Sequence, residues 1–299
     1  MPNKQPGLFC ELQYLHDDHC RILRPAGFPV LCIDVLCPAV ISYCLNTTES
    51  LFSYDVDRFW EETDNLAHQN GMDGNLAYMY KMVVEAEGNL VLNRKALMDY
   101  GAKVKVFPGV EQWFDRIREY GKENGVIVEH YIISSGLQEM IEGTEMAKNG
   151  AFDRIYASSF YFNERGLVKW PAQVVNYTNK TQFLFRIEKG TLDVNDPAVN
   201  DYFPPEQIRV PFRNMVYIGD SDTDIPCMKL VNVNGGHSIG VYNPETGKKE
   251  KVQKMFEIRG SGIMHRQTTR KGLSWTCWSK RSSSGHLRMK RWKRHTSTA

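Results

Sequence analysis

Asp220, Asp222 and Asp224 stand at alternate positions just past the apolar run Asn214-Met215-Val216-Tyr217-Ile218 and Gly219, with Ser221 and Thr223 between them. The apolar run predicts a buried strand that ends abruptly at the glycine. Carboxylates crowded at a strand end repel one another unless a divalent cation neutralises them, and an all-oxygen set suits Mg2+. The carboxyl ends of parallel strands are also where open α/β sheets place ligands. The alternative is a solvated Asp/Ser turn that caps the next helix.

Two earlier segments carry the parts that a cation needs for phosphoryl chemistry. Val126 to Ile133 predicts a buried parallel strand, which runs into Ser134-Ser135-Gly136 and then a helical Leu137-Gln138-Glu139-Met140-Ile141. A hydroxyl with backbone N–H groups at a helix start makes an anion cradle, although the same tripeptide also serves as a plain strand-to-helix turn. Asn179-Lys180-Thr181-Gln182-Phe183-Leu184-Phe185 puts Lys180 at the start of an amphipathic stretch, where its point charge could reach a phosphate oxygen. A lone lysine in such a place is more often surface decoration.

The order strand-Ser-x-Gly, helix-borne Lys, strand-Gly-Asp-x-x-x-Asp resembles motifs two, three and four of the haloacid dehalogenase-like superfamily, nearest to its phosphoserine-phosphatase-like branch. The resemblance spans residues 28 to 258. It implies a Rossmann-like α/β core with a parallel sheet, a small helical cap inserted after the first motif, and Mg2+-dependent hydrolysis of phosphomonoesters through an aspartyl-phosphate. It also implies that Ser134, with Ser135 and Gly136, binds the transferring phosphoryl group and that Lys180 stabilises its charge. Asp220 would ligate Mg2+, with Asp224 supporting the metal or Lys180 and Asp34 completing the ligand set.

The first motif departs from the family pattern. Members carry Asp-x-Asp-x-Thr after the first core strand, the first Asp as nucleophile and the second as general acid/base. Here the segment reads Val30-Leu31-Cys32-Ile33-Asp34-Val35-Leu36-Cys37-Pro38. If Leu36-Cys37-Pro38 stands at the family's Leu-Thr-Pro, Leu31 and Ile33 occupy the two catalytic positions. If a local deletion makes Asp34 the nucleophile, Leu36 stands where the acid/base belongs. Covalent catalysis needs the carboxylate and proton transfer needs its partner, and neither alignment provides both. The alternative function is therefore a catalytically inactive phosphate- or metal-binding module with a regulatory or interaction role.

The elements that must position these residues follow from periodicity. Asp57 to Leu66 and Leu76 to Val84 place apolar residues three and four apart, as helices with one buried face. With the resemblance they predict a cap at residues 45–104, between core segments 28–44 and 105–260 and behind an N-terminal extension, 1–27. Glu111 to Tyr120 predicts a core helix, Phe160-Tyr161-Phe162 a short strand, Asn163 to Gly166 a turn and Asp193 to Pro205 a surface loop. Leu230 to Gly236 with Ser238 to Tyr242 predicts a final strand pair.

Composition sets the remaining bounds. The 299 residues, 42% apolar and 24% charged, are ordinary for a soluble globular protein with a substantial core. Seven scattered cysteines without a Cys-x-x-Cys pair predict reduced thiols in a cytoplasmic protein. The apolar stretch 28–44 is too short for a membrane span and is broken by Pro29, Asp34 and Pro38. Segment 261–299 holds ten Lys/Arg and no Asp/Glu, so the other 260 residues carry 27 − 35 = −8. It predicts a disordered basic tail in preference to a nucleic-acid-binding one. A reading-frame shift is a third account of it, because Ser274-Trp275-Thr276-Cys277-Trp278, read from the third base of its serine codon, gives apolar residues, Asp and Leu. The implied partner is a small phosphorylated metabolite, with no membrane; oligomeric state is not specified by the sequence.

Overall fold

The computed structural model describes residues 55–87, 91–104, 106 and 110–242, together with the backbone of four further strands at 30–33, 262–266, 276–279 and 288–291. These fall into two compact units, 1–32 with 107–129 and 181–299, and 33–106 with 130–180. Both mix helices with parallel strands, so the chain is α/β. No described helix is long and apolar enough to cross a membrane.

Among the described residues of the 33–106/130–180 unit, three helices come first, α1 (Val56–Asn70), α2 (Gly74–Ala86) and α3 (Arg94–Gly101). Each starts on an oxygen-bearing cap: Asp55 accepts from Arg58 N, Asp73 from Asn75 N and Leu76 N, and Asn93 from Ala96 N. Gly71, at φ 60°, ends α1 in the left-handed conformation that glycine adopts without a Cβ clash. Helical structure was expected across 45–104. The same unit also holds β2 (Glu129–Leu137), α5 (Gln138–Gly143), α6 (Glu145–Lys148), β3 (Arg154–Phe162) and β4 (Val168–Gln173). β2 and β3 are parallel, with Tyr131 opposite Arg154, and β4 returns antiparallel to β3 through a turn at Asn163 to Gly166. Phe59, Tyr78, Met79, Leu97, Ile132 and Met140 are fully buried in its core.

Two close approaches lock α3 to α5. A Cβ on Gly101 would lie 1.8 Å from the carbonyl oxygen of Met140, and one on Gly143 would lie 2.0 Å from that of Met98. Each helix therefore lets the other's backbone into contact at a glycine.

The other unit carries α4 (Trp113–Glu123), α7 (Thr181–Lys189), β5 (Met215–Gly219), α8 (Ile225–Val233) and β6 (His237–Tyr242). Its strand order is β1 (Val30–Ile33), β5, β6, β7 (Gly262–Arg266), β8 (Thr276–Ser279), β9 (Arg288–Arg291). β5–β6 and β6–β7 are parallel; β7–β8 and β8–β9 are antiparallel. Phe183, Leu184, Ile187, Met215, Tyr217, Cys227 and Val231 fill the core.

Segment 193–201 is tied to α7. Arg186, almost fully buried, donates from Nη1 to the carbonyls of Asp193 at 2.6 Å and Asp196 at 3.1 Å, and from Nη2 to Val194 at 2.8 Å. Lys189 Nζ donates to the carbonyls of Val199 at 2.8 Å and Asp201 at 2.6 Å.

Several expectations are corrected. Residues 225–233 form a helix, so the expected strand pair reduces to β6 alone. Pro226 starts that helix and Cys227, Met228 and Val231 share its buried face. The strand expected from Val126 begins at Glu129, because Val126 N–H is taken by the Gly121 carbonyl at the end of α4, 2.8 Å away. β3 is three times longer than the expected tripeptide, and β4 was not expected at all. The described residues of segment 261–299 are the backbones of β7, β8 and β9.

Candidate active site

The Ser-Ser-Gly segment belongs to β2 itself. From Ser134 to Leu137 the strand advances three residues while its partner β3 advances one, from Ala157 to Ser158. Ser135 and Gly136 are therefore an inserted bulge, the device by which a strand re-aims its side chains and leaves the ladder. Ser134 is fully buried, and its Oγ accepts from Gly136 N–H at 3.1 Å. The Ser135 carbonyl accepts two buried hydroxyl bonds, from Tyr78 Oη at 3.0 Å and Ser158 Oγ at 3.2 Å. Ser135 Oγ is buried and has no hydrogen-bond partner among the described residues.

Lys180 closes a 3-10 turn, Tyr177–Lys180, immediately before α7. It is fully buried (0% exposed), which rules out the surface-decoration alternative. An ammonium taken wholly out of water demands compensating negative or polar groups around it. The turn that presents it is held from several sides. Asn176 Nδ2 donates to Asp73 Oδ2 at 3.1 Å, and Asn75 Nδ2 donates to the Val175 carbonyl at 2.8 Å, so the start of α2 grips the chain just before the lysine. Asn179 Oδ1 accepts from Asn176 N at 2.7 Å, and its Nδ2 donates to the Val174 carbonyl at 3.1 Å. Tyr177 takes a left-handed φ of 39°, and its N–H donates to Asn176 Oδ1 at 3.0 Å. A β-carbon is disfavoured there, so the turn stores backbone strain that these side-chain bonds hold in place.

Glu139, in the first turn of α5, is fully buried. Its Oε1 accepts from Phe160 N at 3.1 Å, and Oε2 has no hydrogen-bond partner among the described residues. Burial pushes its carboxyl above the usual range; the N–H groups of Glu139 and Phe160 and the Arg94 guanidinium pull it back only in part, and Glu142 raises it further.

In the other unit the carboxylate cluster follows β5 as expected. Asp224 is fully buried and taken up by the protein itself. Its Oδ1 accepts from Tyr217 Oη at 2.8 Å, and its Oδ2 accepts from Asp220 N at 3.1 Å, Ser221 N at 3.1 Å and Ser221 Oγ at 3.0 Å. Asp224 therefore shapes the loop. Gly219 makes room for it: a Cβ there would lie 2.6 Å from Asp224 Cβ. Asp220 is half-buried with Oδ1 shielded from solvent, whereas Asp222 is exposed. Asp220 offers carboxylate oxygens of the kind a hard cation such as Mg2+ takes, while the Ser221 hydroxyl donates to Asp224 and lies 2.7 Å from that of Thr223. Among the described residues no group of three or more His, Cys, Asp or Glu is arranged to hold a metal. Asp34, the third expected ligand, lies outside the described residues.

The sequence reading missed Tyr78, Asp73, Ser158 and the paired asparagines 176 and 179. The asparagines had a local signal, since two of them immediately before a lysine favour side-chain-to-backbone turns. Tyr78 and Ser158 had none, because each acts through a contact far along the chain.

No family model matches the chain. It is 28% identical over 259 residues to an uncharacterized protein of Borreliella burgdorferi, covering 78% of this chain and 90% of the relative. Among solved structures it is similar to a HAD-family hydrolase of Salmonella enterica serovar Typhi, with a TM-score of 0.47 and 14% identity over 82% of this chain and 75% of that one. It is also similar to a probable phosphoserine phosphatase of Vibrio cholerae, with a TM-score of 0.48 and 15% identity; 76% of this chain and 59% of that one are covered, so the match spans less than two thirds of the phosphatase.

Proposed function

We propose that the chain is a haloacid-dehalogenase-like phosphohydrolase acting on a small phosphorylated metabolite with Mg2+, in a reducing cytoplasmic setting. The observation that carries this reading is the burial, within one unit, of Ser134, Ser135 and Lys180, residues far apart in sequence that are bound into a common hydrogen-bonded frame. A hydroxyl and an ammonium withdrawn from bulk water are suited to a phosphoryl group, whose charge they stabilise more strongly than in water. In the other unit, Asp220 would hold Mg2+. Lys180 would hold the phosphoryl oxygens, Ser134 would orient them by hydrogen bonding, and Asp224 would keep the Asp220 backbone in place.

Attack on phosphorus requires a carboxylate from the first motif. Asp34 is the carboxylate that the motif retains, and the acid/base position beside it is apolar in either alignment. That single observation favours a second reading, a phosphate- and metal-binding module with little turnover.

Metal binding and turnover are tested separately. Millimolar Mg2+ should raise the melting temperature of the chain by binding the native state, and Asp220→Asn should remove the increase. Turnover of p-nitrophenyl phosphate should be very low in the natural sequence. It should rise, in an Asp220-dependent manner, in the triple variant Leu31→Asp, Ile33→Asp, Val35→Thr. Strong activity of the natural chain that disappears in Asp34→Asn would instead make Asp34 the nucleophile; absence of any Mg2+ effect would reduce the carboxylate cluster to a helix-capping turn.

A further inference from the structure

The two phosphate-directed segments of the 33–106/130–180 unit are joined by one buried hydroxyl. Ser158 Oγ donates to the Ser135 carbonyl at 3.2 Å and accepts from Val175 N–H at 3.1 Å. It thus ties the Ser134-Ser135-Gly136 bulge to the start of the turn that ends at Lys180. Ser158 is fully buried and sits in β3 directly opposite Leu137, where the β2–β3 register resumes after the bulge. Tyr78 Oη, from α2, is the second donor to the same carbonyl. The α2 start, through Asp73 and Asn75, grips the Lys180 turn as well.

We propose that Ser158 is a positioning residue, assisted by Tyr78, which sets the distance between the Ser134 hydroxyl and Lys180 and so fixes the size of anion that the two can hold together. The proposal rests on the reading of Ser134 and Lys180 as phosphate-binding groups. A two-stranded ladder alone cannot hold these segments, because the bulge interrupts it where the serines stand. Ser158 supplies the missing link at both ends with one group, since a hydroxyl can donate and accept at once. Alanine at this position would leave Val175 N–H without its hydroxyl acceptor and the Ser135 carbonyl with Tyr78 as its remaining side-chain donor. The bulge and the turn would then relax independently.

The test is calorimetric titration of the full chain with inorganic phosphate in the presence of Mg2+, well below each variant's melting temperature. Ser158→Ala should weaken phosphate binding about tenfold, the scale of one lost buried hydrogen bond acting on the ligand's geometry. Ser158→Thr, which keeps the hydroxyl, should restore it. A purely structural role would lower the melting temperature of Ser158→Ala and leave its phosphate affinity at the natural value, and that result would overturn the proposal. Tyr78→Phe, which keeps the ring and loses only the hydroxyl, provides an independent arm should the alanine variant fail to fold: weaker phosphate binding supports the link, and unchanged binding overturns it. If the natural chain itself binds no phosphate, the reading of Ser134 and Lys180 falls and the positioning role falls with it. If the natural chain binds and the variants bind equally, only the positioning role falls.

Discussion

Two residues with no chemistry of their own to perform shape the candidate residues of each unit, taken separately. Gly219 leaves space that Asp224 occupies, and the clash a methyl group would make is with that residue's Cβ and Cγ, at 2.6 and 2.8 Å, of which the Cβ is fixed by the backbone. Gly219→Ala should cost about 1–3 kcal/mol in chemical denaturation, the range for overpacking. It should also eliminate Mg2+-dependent stabilisation, because Asp224 holds the Asp220 N–H. Glu139 shows the opposite economy, a carboxyl kept where water cannot solvate its charge. The unfolded chain releases this proton near the ordinary value of 4.5, while the folded chain retains it to higher pH. Stability from this group is therefore complete below about pH 4.5 and is lost as pH rises through the higher folded value. Glu139→Gln, which has no proton to lose, should flatten that decline in urea titrations run from pH 4 to 8. An unchanged pH slope would show that the carboxyl does not stay protonated in the native state.

At the scale of elements, the α3–α5 contact is the most exacting. Gly101 and Gly143 each face a backbone carbonyl, at distances no side-chain rearrangement can relieve, so Gly101→Ala or Gly143→Ala must push two helices apart. Each should destabilise the chain by about 3 kcal/mol or more, beyond the usual overpacking penalty because backbone has to move. Since α5 follows the serine bulge directly, either variant should also weaken phosphate binding. Neither glycine could be singled out from sequence, where a glycine near a helix end reads as a cap. Elements were legible where one periodicity prevailed, as in α1 and α2. They were misread where two signals overlapped: Val231-Asn232-Val233-Asn234 alternates like a strand, yet Pro226 and the buried Cys227, Met228 and Val231 make it the end of a helix. β4 was missed because Lys169 and Pro171 are poor strand markers, features suited to an edge strand that must not recruit another chain.

Across the whole molecule, candidate residues were easier to single out from sequence than the contacts that frame them. Ser134, Lys180 and Asp220 could be proposed because each lies beside a strand end or helix start, a local and recognisable context. Ser158, Tyr78 and Asp73 act across 17 to 103 residues of chain, and one sequence contains no record of such pairings. Charge was legible as composition alone. The near-neutral total conceals −8 over residues 1–260 and +10 over 261–299, and the strands β7 to β9 lie within the basic part.

The grip of α7 on segment 193–201 changes what that segment means to a protease. Its aspartates and Pro197 advertise an accessible loop, and by sequence an endoproteinase specific for aspartate would cut there first. Arg186 and Lys189 hold five of its carbonyls, so cleavage has to wait until the helix lets go. Digestion at Asp193, Asp196 and Asp201 should therefore follow the opening of α7 and slow in step with added stabilisation, whereas Arg186→Ala should turn the same stretch into the first site of attack. The loop is thus a gauge of native-state opening, readable on a gel.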